Sequence, residues 1–461
     1  MTMKGSHGVV KIIDKDTVCK NFIHFYLYLR ELASIKRLDN HQYIIKLKTF
    51  STTKRNIYLD RYSHDLSHVI HMIPKDKIPM ILYQILVAVK YAESHNILHR
   101  DLKPHNILVD INTYNIVLCD WSLSRSSTYG SNDVFTNEVQ SEMYRAPELY
   151  NRITNINKHV DPYGSEIDVW SIGVIAVNMC RSTLSCYKLK DMSKKEQPPI
   201  IIDLLNHMLT DKASRYTIDE CINHKLFDFY RQHIETPSYP SSAIDQSIYS
   251  LPNVLTTRQR KILVEWLFEV QMDLGCSDIA IASAVYYIDL FLSKTKYVIN
   301  TTKFQLLGIS AIVIANNLYD PNISDVNYAI EICDNTYTKK QIEQFISLII
   351  RTLDGNLYID TEYHYLQMLY HGSPHDLFKH FKYDQDVCDT VVIFSLTDFR
   401  FRQYNPNDVA NAIIIYDILY RSHNLTIDHF DTTKDIIELL DWISTFLDDY
   451  DLEDGIPDNY S

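Results

Sequence analysis

The most informative stretch of this chain reads His99-Arg100-Asp101-Leu102-Lys103-Pro104-His105-Asn106. It concentrates a carboxylate, an amine and a carboxamide within six residues, at Asp101, Lys103 and Asn106. Side chains of these types exchange protons or bind metal ions. A chance turn at the end of a helix is the structural alternative, and the surrounding sequence argues against it.

The stretch resembles the catalytic loop of protein kinases, H-R-D-L-x-x-x-N. This resemblance implies that Asp101 accepts the proton of a substrate hydroxyl and that Asn106 holds Mg²⁺, with Lys103 in the same catalytic set. Asp120 would be the second metal ligand, because Asp120-Trp121-Ser122 stands where kinases have D-F-G. Lys103 and Ser141 resemble the serine/threonine class rather than the tyrosine class.

The same resemblance implies a set of ATP-binding residues, which are Gly5, Gly8, Val10, Lys20, Glu31 and Leu59. The first three fall in a Gly-rich loop pattern whose first glycine is replaced by Met3. Glu31 is expected to pair with Lys20, an ion pair that kinase activity requires. The alternative for Glu31 is a solvated carboxylate on a helix surface.

Within the kinases, the chain resembles the cyclin-dependent family. Residues 30–38 resemble the continuation of its signature helix, and Phe135-Thr136-Asn137-Glu138-Val139 resembles its phosphothreonine segment. By that resemblance Thr136 is a phosphosite, bound by Arg30, Arg100 and Arg125. A phosphate adds about −1.5 to −2 charges, which an arginine cluster can bind. The alternative is a threonine in a mobile loop beside unrelated arginines.

The second half resembles a cyclin. Residues 260–267 resemble the first helix of a cyclin box and residues 287–292 resemble its second helix. The resemblance implies a buried ion pair between Arg260 and Asp289. Thr338 is a plausible cap for the fifth helix. The segment from 358 onward resembles a second cyclin fold more weakly.

A cyclin-like substrate-docking patch is predicted at Ile262, Trp266, Glu269, Phe304 and Gln305. The alternative is that Ile262 and Trp266 simply belong to the core. Asn317 and Ile346 stand where cyclins have a lysine and a glutamate that bind the kinase. We therefore expect a more apolar contact between the halves, or a cyclin half that no longer binds in this way.

Composition limits the class of protein. The 461 residues include Lys+Arg 45 against Asp+Glu 58, a net charge of −13 that argues against nucleic-acid binding. The eight cysteines form no C-x-x-C pair, so a cytoplasmic or nuclear compartment is expected, without secretion or membrane insertion. Only 10 Gly against 33 Tyr resembles the usage of AT-rich genomes, such as those of protists or large DNA viruses.

The predicted fold class is an α+β bilobal kinase followed by an all-α cyclin fold with one clear and one weaker five-helix box. Strands are predicted at residues 9–13, 17–20 and 57–59. The predicted domains are a minimal kinase at 1–235, with lobes 1–60 and 61–235, a linker at 236–255, a first cyclin box at 256–357 and a second helical domain at 358–461.

The predicted function is Mg²⁺- and ATP-dependent phosphorylation of protein Ser/Thr, activated by contact with the chain's own cyclin half. Two alternatives stay open. One is a pseudokinase scaffold, suggested by the replaced first glycine, a shortened first strand and Ser122. The other is a kinase whose cyclin half recruits a host kinase or other host cell-cycle proteins in trans.

Overall fold

The computed structural model of the chain divides into two compact units, Met1–Pro240 and Ser241–Ser461. The structure describes residues 2–5, 8–12, 21–126, 141–149, 163–180, 198–234, 256–295, 299–319, 326–370, 378, 380–422, 425–430 and 432–449. The first unit mixes strands and helices and the second is helical throughout its described residues. The predicted fold class is confirmed.

The first unit begins with a four-stranded antiparallel sheet of order β1-β2-β4-β3. Its strands are β1 (Thr2–Gly5), β2 (Gly8–Ile12), β3 (Leu47–Ser51) and β4 (Asn56–Leu59). Helix α1 (Asn21–Arg37) packs against β3 and β4. It ends with Lys36 and Arg37, cations that favour the negative end of the helix dipole. The strands predicted near residues 9–13 and 57–59 are confirmed, and the one at 17–20 lies outside the described residues.

The rest of the first unit is built around two buried helices, α3 (Ile78–Ser94) and α4 (Glu166–Cys180). Both are apolar on nearly all sides, as a helix in the centre of a core must be. Short elements surround them. The helices are α2 (Leu66–Val69), α5 (Pro199–Met208), α6 (Ile218–Ile222) and α7 (Asp228–His233). The strands are β5 (His64–Asp65), β6 (Ile97–Leu98), β7 (Ile107–Val109), β8 (Ile116–Leu118) and β9 (Arg125–Ser126).

The first part of the second unit forms five α-helices within the described residues 256–358. They are α8 (Thr257–Leu274), α9 (Asp278–Lys294), α10 (Phe304–Tyr319), α11 (Val326–Ile332) and α12 (Lys339–Thr352). The predicted cap at Thr338 is confirmed, since Thr338 and Gln341 form a capping box. Gly308 allows α8 to approach closely, because a Cβ there would lie 3.0 Å from Leu263 Cδ1 and 3.2 Å from Trp266 Cζ3.

The final part contains the helices α13 (Glu362–Tyr370), α14 (Gln385–Ser395), α15 (Pro406–Arg421) and α16 (Lys434–Asp449). Their apolar faces share one core that includes Leu366, Val392, Ile414 and Leu439. Helix α15 begins with an Asn405 cap and Pro406 in the first turn, where proline's missing N–H costs nothing. In the part of the chain that the structure describes, no helix has the length and apolar character needed to cross a membrane.

Candidate active site

The loop 99–106 follows β6, and Asp168 of α4 holds the start of the loop through its backbone. One carboxylate oxygen of Asp168 accepts the His99 amide at 3.0 Å, and the other accepts the Arg100 amide at 3.0 Å. Arg100 has a φ of 64°, a conformation that non-glycine residues rarely adopt. Burial raises the pKa of Asp168 to about 7, although the two amide donors and the Arg100 charge favour its ionised form. These contacts could not be read from the sequence, because Asp168 lies 68 residues after Arg100.

The three predicted catalytic side chains of this loop lie together around Asp101. Its carboxylate accepts the Lys103 amine at 2.6 Å and the Asn106 amide nitrogen at 3.2 Å. The Asn106 amide also donates to the Asp101 carbonyl at 2.8 Å. Asp101 is buried, with 6% of its surface exposed. A carboxylate fixed by neighbours in this way can accept a proton at a defined position.

Ser141 completes this cluster from the other side. Its hydroxyl lies 3.0 Å from Asp101 Oδ1 and 3.0 Å from Lys103 Nζ, and its backbone N–H donates to Asp101 at 3.2 Å. The sequence marked Ser141 only as typical of the serine/threonine class. These contacts could not be read from the sequence, because Ser141 is 40 residues away from Asp101.

Asn106 and Asp120 lie at the same end of a β-hairpin. Strand β7 begins after Asn106 and pairs antiparallel with β8, with Ile107 opposite Leu118. The Cys119 amide then donates to the Asn106 carbonyl at 2.9 Å, immediately before Asp120. Because the Asn106 amide nitrogen donates to Asp101, its amide oxygen is the atom left to bind a cation.

This donor set fits Mg²⁺. The ion is usually held by one or two protein oxygens together with substrate phosphates. Within the described residues, no group of three or more His, Cys, Asp and Glu is placed to hold a metal. The Asn106 amide oxygen and the Asp120 carboxylate at one hairpin end match the donor set of a Mg²⁺ ion shared with a nucleotide.

The segment after Asp120 is held by Ser122 and Trp121. Asp120 has a φ of 62°, and the Ser122 hydroxyl donates to its carboxylate at 2.6 Å. Trp121 is fully buried, with its ring 4.5 Å from that of His99. Burial lowers the pKa of His99, which favours the neutral imidazole beside this ring. The sequence placed Trp121 and Ser122 where kinases have Phe and Gly, but it did not predict the contact of Ser122 with Asp120.

The predicted ATP-binding residues are only partly described. Gly5 pairs with Gly8 at the turn of the β1-β2 hairpin, Val10 pairs with Met3, and Leu59 pairs with Val9. Lys20 lies outside the described residues, so its pairing with Glu31 stays a prediction. The alternative of a solvated Glu31 is wrong, because this residue has 0% of its surface exposed on α1.

All three predicted phosphate-binding arginines are buried, with exposures of 1% for Arg30, 0% for Arg100 and 1% for Arg125. Arg100 Nε donates to the Leu123 carbonyl at 2.8 Å, and one Nη donates to the Tyr163 hydroxyl at 2.9 Å. Its other Nη is buried without a hydrogen-bond partner in the described residues. A buried cation in this state favours an anionic partner. Thr136 lies outside the described residues.

In the second unit, the predicted buried ion pair is confirmed. Arg260 Nη2 lies 2.7 Å from Asp289 Oδ2 and Nε lies 2.8 Å from Oδ1, with both residues buried. Arg260 also donates to the Leu396 carbonyl at 2.7 Å, so it ties α8 and α9 to the end of α14. Glu362 and Arg402 form a second buried pair, which the sequence did not reveal. The Tyr286 hydroxyl donates to Glu362 at 2.7 Å.

The predicted docking patch is only partly accessible. Ile262 is 56% exposed, so its assignment to the core is wrong, and Glu269 is exposed beside it on α8. Trp266 and Gln305 are half-buried. Phe304 is 8% exposed and is corrected to a core residue, because α10 is apolar on nearly every side. Asn317 and Ile346 are also buried, and Asn317 donates within α10 to the Val313 carbonyl at 2.8 Å.

Comparison with known proteins agrees with this architecture. The family model of the protein kinase domain matches residues 2–227, and that of the cyclin N-terminal domain matches residues 226–358. This chain carries a protein kinase domain followed by a cyclin domain.

The kinase domain is similar to plant mitogen-activated protein kinases. Mitogen-activated protein kinase 7 of Arabidopsis thaliana is 33% identical over 37% of this chain and 50% of its own length. Mitogen-activated protein kinase homolog 1 of Petunia hybrida is 37% identical over 32% of this chain and 38% of its own length. Mitogen-activated protein kinase homolog NTF3 of Nicotiana tabacum is 36% identical over 32% of this chain and 40% of its own length. The chain thus spans half or less of these relatives, and the closer resemblance to cyclin-dependent kinases stays a prediction.

Proposed function

We propose that this chain is a serine/threonine protein kinase that transfers the γ-phosphoryl group of ATP to protein hydroxyls and is activated by its own cyclin domain. The observation that carries the proposal is the cluster around Asp101, where Lys103, Asn106 and Ser141 all contact one buried carboxylate. Asp120 lies at the same hairpin end as Asn106.

The proposed chemistry follows from these contacts. Asp101 accepts the proton of the substrate hydroxyl as that oxygen attacks the γ-phosphorus. Lys103, 2.6 Å from Asp101, offers a positive charge next to the oxygens of the transferred group. Asn106 and Asp120 would hold Mg²⁺, which neutralises charge on the phosphates when it is bound. Ser141 orients Asp101 from the side opposite the loop.

The cyclin domain supplies activation in this proposal. Glu31 is buried on α1, and kinases need such a glutamate in place beside the phosphate-binding lysine, Lys20 here. A covalently linked partner acts at an effective concentration set by its linker, often in the millimolar range. Charged contacts that help select a free partner matter less under those conditions. Asn317 and Ile346 stand where cyclins have charged residues, which agrees with a smaller need for charged contacts in a linked pair.

The phosphotransfer step is tested by Asp101→Asn and Asp120→Asn in the full chain, assayed on Ser/Thr and Tyr peptide arrays. We expect wild-type transfer to Ser and Thr and a loss of at least 10³-fold in either variant with the circular dichroism spectrum unchanged. Wild-type protein that binds ATP without transferring phosphate would favour a pseudokinase scaffold. Full activity of Asp101→Asn would overturn the mechanism.

A further inference from the structure

A buried hydrogen bond joins α1 to the segment that follows Asp120. The hydroxyls of Ser34 and Ser124 lie 2.6 Å apart, and both residues have 0% of their surface exposed. Ser34 is one turn beyond Glu31 on α1, and Ser124 is four residues beyond Asp120. The contact therefore connects the helix that carries the predicted lysine partner with the segment that carries the predicted metal ligand.

The direction of this bond is fixed by a second one. The Ser124 hydroxyl donates its single proton to the Trp121 carbonyl at 2.6 Å. Ser124 can then only accept from Ser34, so Ser34 is the donor. The result is a chain from the Ser34 hydroxyl through Ser124 to the Trp121 carbonyl. Consecutive hydrogen bonds of this kind strengthen one another in a low-dielectric interior.

The chain ends at a residue that has little freedom to move. Trp121 is fully buried, and its ring lies against His99, two residues before Asp101. An outward shift of α1 would separate Ser34 from Ser124 and leave a hydroxyl without a partner in the core. Leaving such a group unpaired is costly, whereas keeping the pair requires α1 and the Asp120 segment to move together.

We propose that Ser34 and Ser124 are positioning residues that couple the place of α1, and so of Glu31, to the place of Asp120. This inference rests on the proposed function for its catalytic consequence. The hydrogen-bonded pair of Ser34 and Ser124, here called the latch, favours the arrangement in which α1 and the Asp120 segment are aligned. The latch is specified by two serines and needs neither a charged group nor a phosphate.

The test uses Ser34→Ala, Ser124→Ala and the double variant in the full chain. We expect each single variant to lose roughly tenfold in kcat/KM and in affinity for a fluorescent ATP analogue with Mg²⁺. Amide exchange should accelerate by a similar factor in residues 21–37 and 120–124, while α3 and α4 keep their protection. Because Ser34 acts through Ser124, the double variant should be no worse than Ser124→Ala.

The matched control is Ser395→Ala, which removes a buried hydroxyl that donates to the Val392 carbonyl at 2.7 Å in the second unit. It should leave activity and exchange of α1 unchanged. Wild-type exchange in α1 for both single variants, or independent additive losses, would overturn the latch. If Ser124→Ala does not fold, Ser34→Ala alone decides by the same exchange measurement. Protein that transfers no phosphate but shows the exchange pattern would overturn the proposed function and leave the latch standing.

Discussion

Arg260 and Arg402 in the second unit and Arg100 in the first are buried arginines whose guanidinium groups have different partners. In the second unit, Arg260 is neutralised by Asp289 and Arg402 by Glu362, and both pairs are inaccessible to solvent. In the first unit, Arg100 is equally buried, but its guanidinium contacts a carbonyl and a hydroxyl, neither of which carries charge. The Arg260 guanidinium has all its partners within the fold, whereas Arg100 has a remaining Nη for an anion.

This difference distinguishes arginines whose charge is paired within the fold from an arginine whose charge is available to a ligand. A buried ion pair contributes little net stability but is costly to break, because one charge is then left uncompensated. A buried guanidinium that hydrogen-bonds no carboxylate is costly, and a hydrogen bond to a bound phosphate would relieve that cost. We therefore expect the second-unit arginines to govern folding and Arg100 to govern the response to phosphate.

The largest expected effect comes from breaking a complete pair. Arg260→Ala should destabilise the second unit by about 3–5 kcal/mol, since Asp289 would remain buried and unpaired. Urea unfolding of the full chain, followed by a probe in the second unit, measures this loss. The exposed pair of Lys261 and Glu265, 3.8 Å apart, provides the control. Lys261→Ala should cost less than about 0.5 kcal/mol.

Replacement of both partners tests whether the unpaired charge causes the loss of stability. Arg260→Met combined with Asp289→Leu should recover most of the stability lost by Arg260→Ala, because no charge is left buried alone. If the double variant is as unstable as Arg260→Ala, the loss comes from the carbonyl contacts at Leu396 and Thr397 instead.

A smaller effect is expected at Arg100. Unphosphorylated wild-type protein should gain about 1.4 kcal/mol of stability at an inorganic phosphate concentration ten times the dissociation constant. Arg100→Met should abolish this gain, while Arg260→Met/Asp289→Leu should keep it. Thermal unfolding in phosphate, against chloride of equal ionic strength, makes the measurement. An unchanged gain in Arg100→Met would show that the phosphate binds elsewhere.

The smallest effect concerns Asp389, a largely buried acid of the second unit. Burial raises the pKa of Asp389 from 3.8 to about 7, with further repulsion from Asp278 and Asp386 and a hydrogen bond from Tyr370 that acts in the opposite direction. Since the folded-state pKa lies above the unfolded one, folding favours the protonated form. Its stabilising contribution is complete below about pH 4 and is lost as the pH rises toward 7.

Asp389→Asn should remove this loss and stabilise the second unit at pH 8. Its stability between pH 4 and pH 7 should also vary less than that of the wild type. Unfolding curves at pH 5 and pH 8 test both points. A variant that is less stable than the wild type at pH 8 would mean that the contacts of Tyr370 and Gln367 require the carboxylate.

Local sequence patterns predicted much of this structure. The cap at Thr338 was expected from its residue type before a helix, and the pair of Arg260 with Asp289 from the resemblance to a cyclin box. The loop at 99–106 likewise identified Asp101, Lys103 and Asn106, which do lie together. Such features depend on residues close in sequence or on a motif tied to one fold.

Contacts between distant segments were not predictable. Ser141 reaches Asp101 from 40 residues away, Ser34 and Ser124 are 90 apart, and Arg402 and Glu362 are 40 apart. Nothing in the local sequence distinguishes a serine that bonds across the core from one on the surface. The exposure of Ile262 and the burial of Phe304 also depend on how whole helices pack, which periodicity alone does not specify.

In the proposed function, the kinase domain depends on the cyclin domain of its own chain. The most direct measurement compares phosphotransfer by the full chain with that by residues 1–235, assayed with and without added residues 236–461. We predict that residues 1–235 alone lose at least tenfold in activity and that the added cyclin segment restores part of it at high concentration. Equal activity of residues 1–235 and the full chain would contradict activation in cis and would favour a cyclin half that acts on other proteins.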